Sequence, residues 1–478
     1  MKIKENLDEI VSYLEDSSNF KSGKAEKVFI PENEDEILEV IKICRKEKIP
    51  LTVSGGGTGT VAGRIPVGGY IISMELFNKI KNVDIEKKES TLEAGVIVDE
   101  FLKYIERFNL FYPPFPTERT AFIGGNVSTN ASGEYSFRFG PTRKYVRRIK
   151  MVLTTGEILD IKRGEIFEKD GYIDYKIFKV PLPSYRTPDV KCSAGYYSKE
   201  GMDGIDLIIG SEGTLGIITE VDVELIENLP PRFIMILFLK KEGNIPEIVK
   251  KIKEKKDELE IFSLEFFDKK SLLFLIDEFS FIPEDCCAIY IEATNDTEKM
   301  EKWIEIAEEI EIVDTVIGED PQNYKKLIDF RHKLPENVNS YFKKIGSTKV
   351  AVDAAVPENK FEEFYNFYRK IMEENKDIHT ILFGHIGENH LHFNLFPENE
   401  KQKEKAYKIY EESVKKAVSL GGTGFAEHGI GKLKHKYLEI MYGKKGIIDM
   451  VKIKKIFDPH CILGLDNIFP KEYLHYVK

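Results

Sequence analysis

Ser54-Gly55-Gly56-Gly57-Thr58-Gly59-Thr60-Val61-Ala62-Gly63 holds five glycines in ten residues and directly follows Leu51-Thr52-Val53, which reads as a short strand. So much bare backbone suits main-chain N–H groups wrapped around a phosphate or pyrophosphate, where a Cβ would block the approach. A purely structural glycine-rich turn is the alternative. A P-loop needs Gly-Lys-Ser/Thr at its end, and no lysine follows. Gly57 to Ala62 fits the loose dinucleotide-binding pattern, but Pro66, Gly68 and Gly69 follow too soon for the helix that pattern must open. The loop is expected to be a phosphate cradle of a third kind.

The chain around it has 478 residues, enough for two or three domains with full cores. A net charge of −11 with no basic arm argues against a nucleic-acid partner. Lys/Glu runs such as Lys250 to Glu260 read as solvated helix faces. Cys44, Cys192, Cys286, Cys287 and Cys461 form no C-x-x-C pair, so neither a disulfide ladder nor a built-in iron–sulfur cluster is expected. The polar Met1 to Asp16 is not read as a signal peptide, and the longest apolar run, Phe233 to Leu239, is too short to span a bilayer. A cytoplasmic location, or one peripheral at the membrane, is expected. All nine histidines lie between His332 and His475, so imidazole chemistry must come from the last third.

Apolar Ile37, Val40, Ile41 and Cys44 predict an amphipathic helix over 34–47; Tyr70–Met74 and Thr91–Val96 read as strands and Val98–Phe108 as a helix. After the rigid Pro113-Pro114-Phe115-Pro116 comes Ile123-Gly124-Gly125-Asn126-Val127-Ser128-Thr129-Asn130-Ala131-Ser132-Gly133, either a second surface for close backbone contact with a ligand or a chain of tight turns. Lys150–Leu153 and Glu157–Ile161 predict a hairpin. Residues 162–203 are irregular and proline-containing, a long loop of the kind that forms lids or partner surfaces. A third glycine-rich loop, Gly210-Ser211-Glu212-Gly213-Thr214-Leu215-Gly216, feeds a strand in which Val221, Val223 and Leu225 alternate with acids, a half-buried edge pattern. Pro230-Pro231 marks a boundary, beyond which strands and charged helices suit an antiparallel sheet with helices on one side.

His385-Ile-Gly-Glu-Asn-His390-Leu-His392 places three imidazoles in eight residues, with Glu427-His428 downstream between glycine-rich turns. His390 and His392 would share a strand face. Histidine and glutamate donors suit Zn²⁺, Mn²⁺ or Fe²⁺; a metal-free polar cluster is the alternative.

Three glycine loops in this order, Ile123-Gly124-Gly125-Asn126 with Thr129-Asn130, Ile209 to Gly216, Gly384-His385-Ile386-Gly387 with His392, and Glu427-His428-Gly429-Ile430-Gly431 together resemble the FAD-dependent oxidoreductases of the vanillyl-alcohol oxidase / p-cresol methylhydroxylase type. The resemblance runs from about residue 25 to 470 and is to the branch of D-lactate, glycolate and D-2-hydroxyglutarate dehydrogenases. It implies an α+β protein. Residues 1–228 would form a two-subdomain FAD-binding domain, 229–425 a substrate domain with an antiparallel sheet and a metal site, and 426–478 a helical segment returning to the FAD domain. The flavin would be noncovalent, since the histidine that attaches it in some relatives has no counterpart in that domain. Its pyrophosphate would lie on Ser54, Gly55, Gly56, Gly57, Thr58, Gly59 and Thr60, with Pro116, Gly124, Gly125, Ser128, Asn130, Gly133, Gly210, Glu212, Gly213, Gly216, Ile217 and Ile218 along the rest.

The resemblance further implies a divalent metal on His385, His392 and Glu427, a catalytic base at His428, a substrate-contacting amide at Asn394 and a substrate-gripping arginine at Arg331. The metal would hold the α-hydroxyl and a carboxylate oxygen of a D-2-hydroxy acid, His428 would take the hydroxyl proton, and the C2 hydride would pass to flavin N5. His390 stands where such proteins usually have asparagine, and is either an extra polar contact or a modified metal site. Ala351 stands where the D-2-hydroxyglutarate type has lysine, with Lys349 two residues earlier, which favours a smaller acid such as D-lactate. Electrons would leave for a separate acceptor: an electron-transfer flavoprotein, an iron–sulfur protein or a quinone. Two other readings are a flavin-binding accessory subunit of a larger complex and a same-fold flavoenzyme with a non-hydroxy-acid substrate, such as an ether-lipid synthase.

Overall fold

The computed structural model describes residues 1–346 and 349–477. Its first sheet runs Lys2–Lys4, Lys27–Ile30, Tyr70–Ser73, Leu51–Ser54, with the last three strands parallel. The crossover helix Glu34–Glu47 buries Ile37, Val40, Ile41 and Cys44 as the spacing predicts. Asn33 caps its first turn by accepting from the Glu36 N–H, acids fill that turn, and Arg45 and Lys46 face the negative end of the helix dipole.

The second sheet is antiparallel: Ile80–Asp84, Glu89–Glu93, Ile217–Glu224, Val146–Val152, Ile158–Lys162. Ile217–Glu224, expected at an edge, is its central strand. The acids that suggested solvent are satisfied within the sheet instead. Glu220 pairs with Lys81 and Arg148, and Arg148 also holds Asp160 at 2.6 Å. Alternation therefore reflects one apolar face and one face of paired charges.

The segment 123–129, expected as turns or a binding surface, is a short helix, Ile123–Thr129, packed on the second sheet. Gly124 permits this, since a Cβ there would lie 2.6 Å from the Ala94 Cβ.

A third, seven-stranded antiparallel sheet runs Asp314–Gly318, Arg232–Leu239, Cys287–Thr294, Ile261–Phe267, His379–Gly384, His390–Phe396, Val350–Ala355. Helices cover both of its faces, not one. Along Arg232–Leu239, Phe233, Met235 and Leu237 join the main core, while Ile234, Ile236 and Phe238 pack with Leu327, Phe330 and Leu334 of the helix Pro321–Ile345. A continuous apolar run is the mark of a strand buried on both sides.

After this sheet the chain returns to the first one. Leu463 bridges Leu51, the Leu51 N–H donates to the Ile462 carbonyl at 2.7 Å, and Lys454 and Asp458 form a buried pair at 2.7 Å. The irregular 162–203 stretch is no loose lid. It forms a small sheet of Glu168–Lys169, Tyr172–Asp174 and Lys179–Pro181, then packs inward through Tyr185 and Tyr196, whose hydroxyls bond the Tyr196 carbonyl and Thr214 at 2.7 Å each. Among the described residues no helix is long and apolar enough to cross a membrane.

Candidate active site

The three glycine loops converge. The Gly210 and Glu212 N–H groups donate to the Val127 and Ser128 carbonyls at 2.9 and 2.8 Å, joining the third loop to the second. A Cβ on Gly55 would come 3.9 Å from the Gly125 Cα, so the first loop faces the second; one on Gly213 would come 3.7 Å from the Val53 Cβ. Not every glycine here serves the same purpose. Gly133 and Gly216 are required by protein packing, with Cβ positions 1.9 Å from the Phe115 carbonyl oxygen and 2.1 Å from the Met151 methyl. Gly59 and Gly125, by contrast, face open space, with nothing within 4 Å of a built Cβ. That is the backbone-lined cradle a diphosphate and a flat ring require, so the residues fit FAD. Ser54 is buried beneath the loop, and the Arg64 guanidinium closes the first loop by donating to the Gly55 carbonyl at 3.0 Å.

Two of the remaining expected cofactor positions use their side chains within the protein. The Glu212 carboxylate accepts the backbone N–H groups of Ile430 and Gly431 at 2.8 and 2.7 Å. Asn130 sits at φ +48° and uses its side-chain oxygen to accept the Arg143 N–H.

The C-terminal histidines assemble where the third sheet meets the returning chain. His390, His392 and Asn394 alternate on one face of the strand His390–Phe396, and Asp353 lies opposite His392 in register. His385 ends the neighbouring strand after Gly384, whose φ of +118° and absent Cβ let the His392 ring lie against the turn. Gly387 leaves room for the Phe137 ring, which fastens the histidine turn to the 123–139 region.

Glu427 is the centre of the cluster. Its Oε2 is 3.5 Å from His385 Nε2 and 3.9 Å from His390 Nδ1; its Oε1 is 3.3 Å from His392 Nε2 and 3.7 Å from His428 Nε2. The ligand atoms of His385, His390, His392 and Glu427 all lie within 4.8 Å of one another, as do those of the overlapping set Asp353, His392, Glu427 and His428. Two adjacent donors each about 2.1 Å from one cation stand roughly 3.0–3.4 Å apart. The spacings around Glu427, 3.3 to 3.9 Å, are a few tenths of an ångström wider, within small side-chain shifts of a single-ion site. Burial pushes the His392 imidazole down to about 3 and lowers His390 as well, which keeps both neutral as ligands must be. Burial pushes the Glu427 carboxyl up, but Lys191 and the imidazoles outweigh it and hold it well below the ordinary range. His385 differs: burial disfavours its charged form, but Glu265 and Glu427 outweigh that and raise it to about 9, so it must give up its proton to bind a cation. Two buried neutral imidazoles, a third that a cation would deprotonate and an ionised carboxylate form a donor set that fits a divalent metal.

Four supporting residues carried no recognisable sequence signal. Asp353, fully buried, places Oδ2 3.2 Å from His428 Nδ1 and accepts the His428 backbone N–H at 2.9 Å, while Oδ1 approaches His390 Nε2 at 2.8 Å. Glu265 meets His385 Nδ1 at 3.0 Å. Lys191, from the 162–203 stretch, puts its ammonium 2.7 Å from Glu427 and 2.9 Å from Glu388. Lys434 lies 3.5 Å from Asp353 Oδ2, and its ammonium, buried, has no hydrogen-bond partner among the described residues. Both amide atoms of buried Asn394 are likewise without a partner among the described residues. Arg331, expected to grip a substrate carboxylate, is buried with Nη2 2.8 Å from Glu265 and Nη1 3.6 Å from Glu134. Lys349 is exposed and bonds the Asn339 side chain at 3.2 Å.

The cradle and the cluster are fastened together. A Cβ on Gly431 would lie 2.0 Å from the Val61 carbonyl oxygen, and Lys432 donates to the Ala62 and Gly63 carbonyls at 3.3 Å each. The loop carrying His428 thus sits directly on the loop proposed to hold the diphosphate.

Comparison with known proteins agrees with this arrangement. Residues 25–162 match the FAD binding domain family and residues 236–465 the family of FAD linked oxidases, C-terminal domain. The chain is 31% identical to a D-lactate dehydrogenase of Anaerostipes hadrus over 93% of its own length and 90% of that protein's. It is 29% identical to glycolate oxidase subunit GlcD of Bacillus subtilis, over 96% of this chain and 92% of that one. The solved 4-ethylphenol oxidase of Gulosibacter chungangensis shares the fold, with a TM-score of 0.70 at 14% identity over 98% of this chain and 95% of that one. The chain therefore belongs to the FAD-linked oxidases, in the branch of the D-lactate, glycolate and D-2-hydroxyglutarate enzymes, and is a flavin-dependent oxidoreductase.

Proposed function

We propose that the protein oxidises a small D-2-hydroxy acid, D-lactate or one of similar size, to the 2-oxo acid, with FAD and a divalent cation as cofactors and a separate protein or quinone as electron acceptor. The observation that carries this reading is the donor cluster around Glu427 with His428 beside it, stitched to the glycine cradle. When bound, FAD supplies the hydride acceptor and the cation a Lewis acid for the substrate hydroxyl. His385, His392 and Glu427 hold the cation. His428 donates Nδ1–H to Asp353, which leaves Nε2, facing the cluster, to accept the hydroxyl proton.

Substrate recognition falls to residues whose polar atoms are buried and unsatisfied. The Asn394 amide offers a donor and an acceptor on the His392 face. Lys434, held only at 3.5 Å from Asp353 and without a hydrogen bond among the described residues, offers an ammonium to the carboxylate. Arg331 acts through Glu265, neutralising a carboxylate that orients His385; an ion pair already made at 2.8 Å leaves little of its guanidinium for substrate.

The test is kinetic. His428→Gln is expected to keep FAD and lower the rate of flavin reduction by D-lactate by about 10²-fold or more. Lys434→Met is expected to raise KM with FAD content unchanged. Wild-type rates in His428→Gln would remove the base from the account.

A further inference from the structure

We infer that His390 is a fourth protein ligand of the cation held by His385, His392 and Glu427, binding through Nδ1. This rests on the metal reading above and adds to it a coordination number and hence a class of ion.

Three observations carry it. First, register puts His390 in place: it is two residues before His392 on the same strand face, with ring centroids 4.7 Å apart, and its ring stacks 5.4 Å from that of His385. Second, its side chain is fully buried and Nδ1 has no hydrogen-bond partner among the described residues. A buried acceptor left empty costs about 1–3 kcal/mol, and a cation shared with Glu427, whose Oε2 is 3.9 Å away, would occupy that lone pair. Third, the other ring nitrogen faces a carboxylate, although it too makes no hydrogen bond among the described residues. Nε2 lies 2.8 Å from Asp353 Oδ1; the approach is oblique, but a lone pair there would face a carboxylate, so the proton belongs on Nε2 and the lone pair on Nδ1. A carboxylate behind a ligating imidazole is the usual support of a metal-bound histidine.

The overlapping set that uses Asp353 as a ligand is less suited. Each Asp353 oxygen already faces an imidazole nitrogen, and Oδ2 also accepts the His428 backbone N–H at 2.9 Å.

The fourth ligand has a chemical consequence. Four protein donors fill a tetrahedral site and close it, as in structural zinc centres. Around an octahedral ion the same four leave two positions, the number that a hydroxyl and a carboxylate oxygen of one 2-hydroxy acid would take. The site is therefore matched to a six-coordinate ion such as Mn²⁺ or Fe²⁺ over a tetrahedral one.

The experiment uses full-length, FAD-loaded protein, stripped with a chelator and reloaded with Mn²⁺, and counts bound imidazoles by pulsed electron paramagnetic resonance alongside Mn²⁺ affinity. Three imidazoles are expected in wild type and two in His390→Asn, with affinity reduced at least ~10-fold. Two imidazoles in wild type, or unchanged affinity and count in His390→Asn, would overturn the inference while leaving the three-ligand site standing. The wild-type count decides even where the variant fails to fold. A wild type that binds no Mn²⁺, with His385→Ala indistinguishable from it, would overturn the metal reading itself and this inference with it.

Discussion

The Glu212 carboxylate accepts the Gly431 backbone N–H at 2.7 Å, so a residue of the third glycine loop holds the segment that carries His428. The neighbouring Ile430 N–H binds the same carboxylate at 2.8 Å. Burial raises the Glu212 carboxyl, with these two N–H bonds opposing it. Glu212→Ala leaves two buried donors unmatched, a loss of about 1–3 kcal/mol each. The expected outcome is a lowered melting temperature and slow flavin reduction with FAD content preserved, measured by thermal unfolding and by absorbance. Loss of FAD before loss of reduction would instead return Glu212 to the cofactor.

Lys191 and Glu427 give a second expectation. The ammonium stands 2.7 Å from the carboxylate that the proposed cation would use. Lys191→Met removes one partner of a buried pair and leaves Glu388 and Glu427 facing each other, a cost of about 3–5 kcal/mol. The variant should be less stable than wild type without added metal and should gain more in melting temperature on Mn²⁺ addition, because a divalent ion replaces the missing charge. Equal Mn²⁺-induced shifts in the two proteins would contradict a shared site.

Asp268 supplies a dependence on pH away from the active site. Burial, reinforced by Glu242, pushes its carboxyl up to about 7. The folded protein therefore keeps a proton between about pH 4 and 7 that the unfolded chain has lost. This contribution is full below about pH 4 and lost as pH rises through 7. Asp268→Asn retains an acceptor for the Ser271 N–H, now bonded at 2.7 Å, and removes the titration. Its melting temperature relative to wild type should rise between pH 5 and 7.5; parallel curves would show that Asp268 ionises normally.

Much of this architecture was legible in the sequence because it is local. Glycine spacing marked the three loops, apolar spacing marked the helix Glu34–Glu47, and alternation placed His390, His392 and Asn394 on one face. The supporting residues were not legible, because each is brought in by long-range register. Asp353 faces His392 only through strand pairing, and Lys191 arrives from a stretch that carried no motif. The Glu212 side-chain partners were hidden for a related reason. Sitting among cofactor glycines says where its backbone lies, not where its carboxylate points. The strand Ile217–Glu224 misled because paired charges and solvated charges give the same alternating pattern.

The central claim is that a D-2-hydroxy acid reduces the flavin at this site, and anaerobic mixing tests it most directly. With FAD-loaded protein reconstituted with Mn²⁺, D-lactate should bleach the flavin absorbance in a single turnover while L-lactate leaves it unchanged. An oxidised spectrum that persists with D-lactate and every other D-2-hydroxy acid tried would contradict the account.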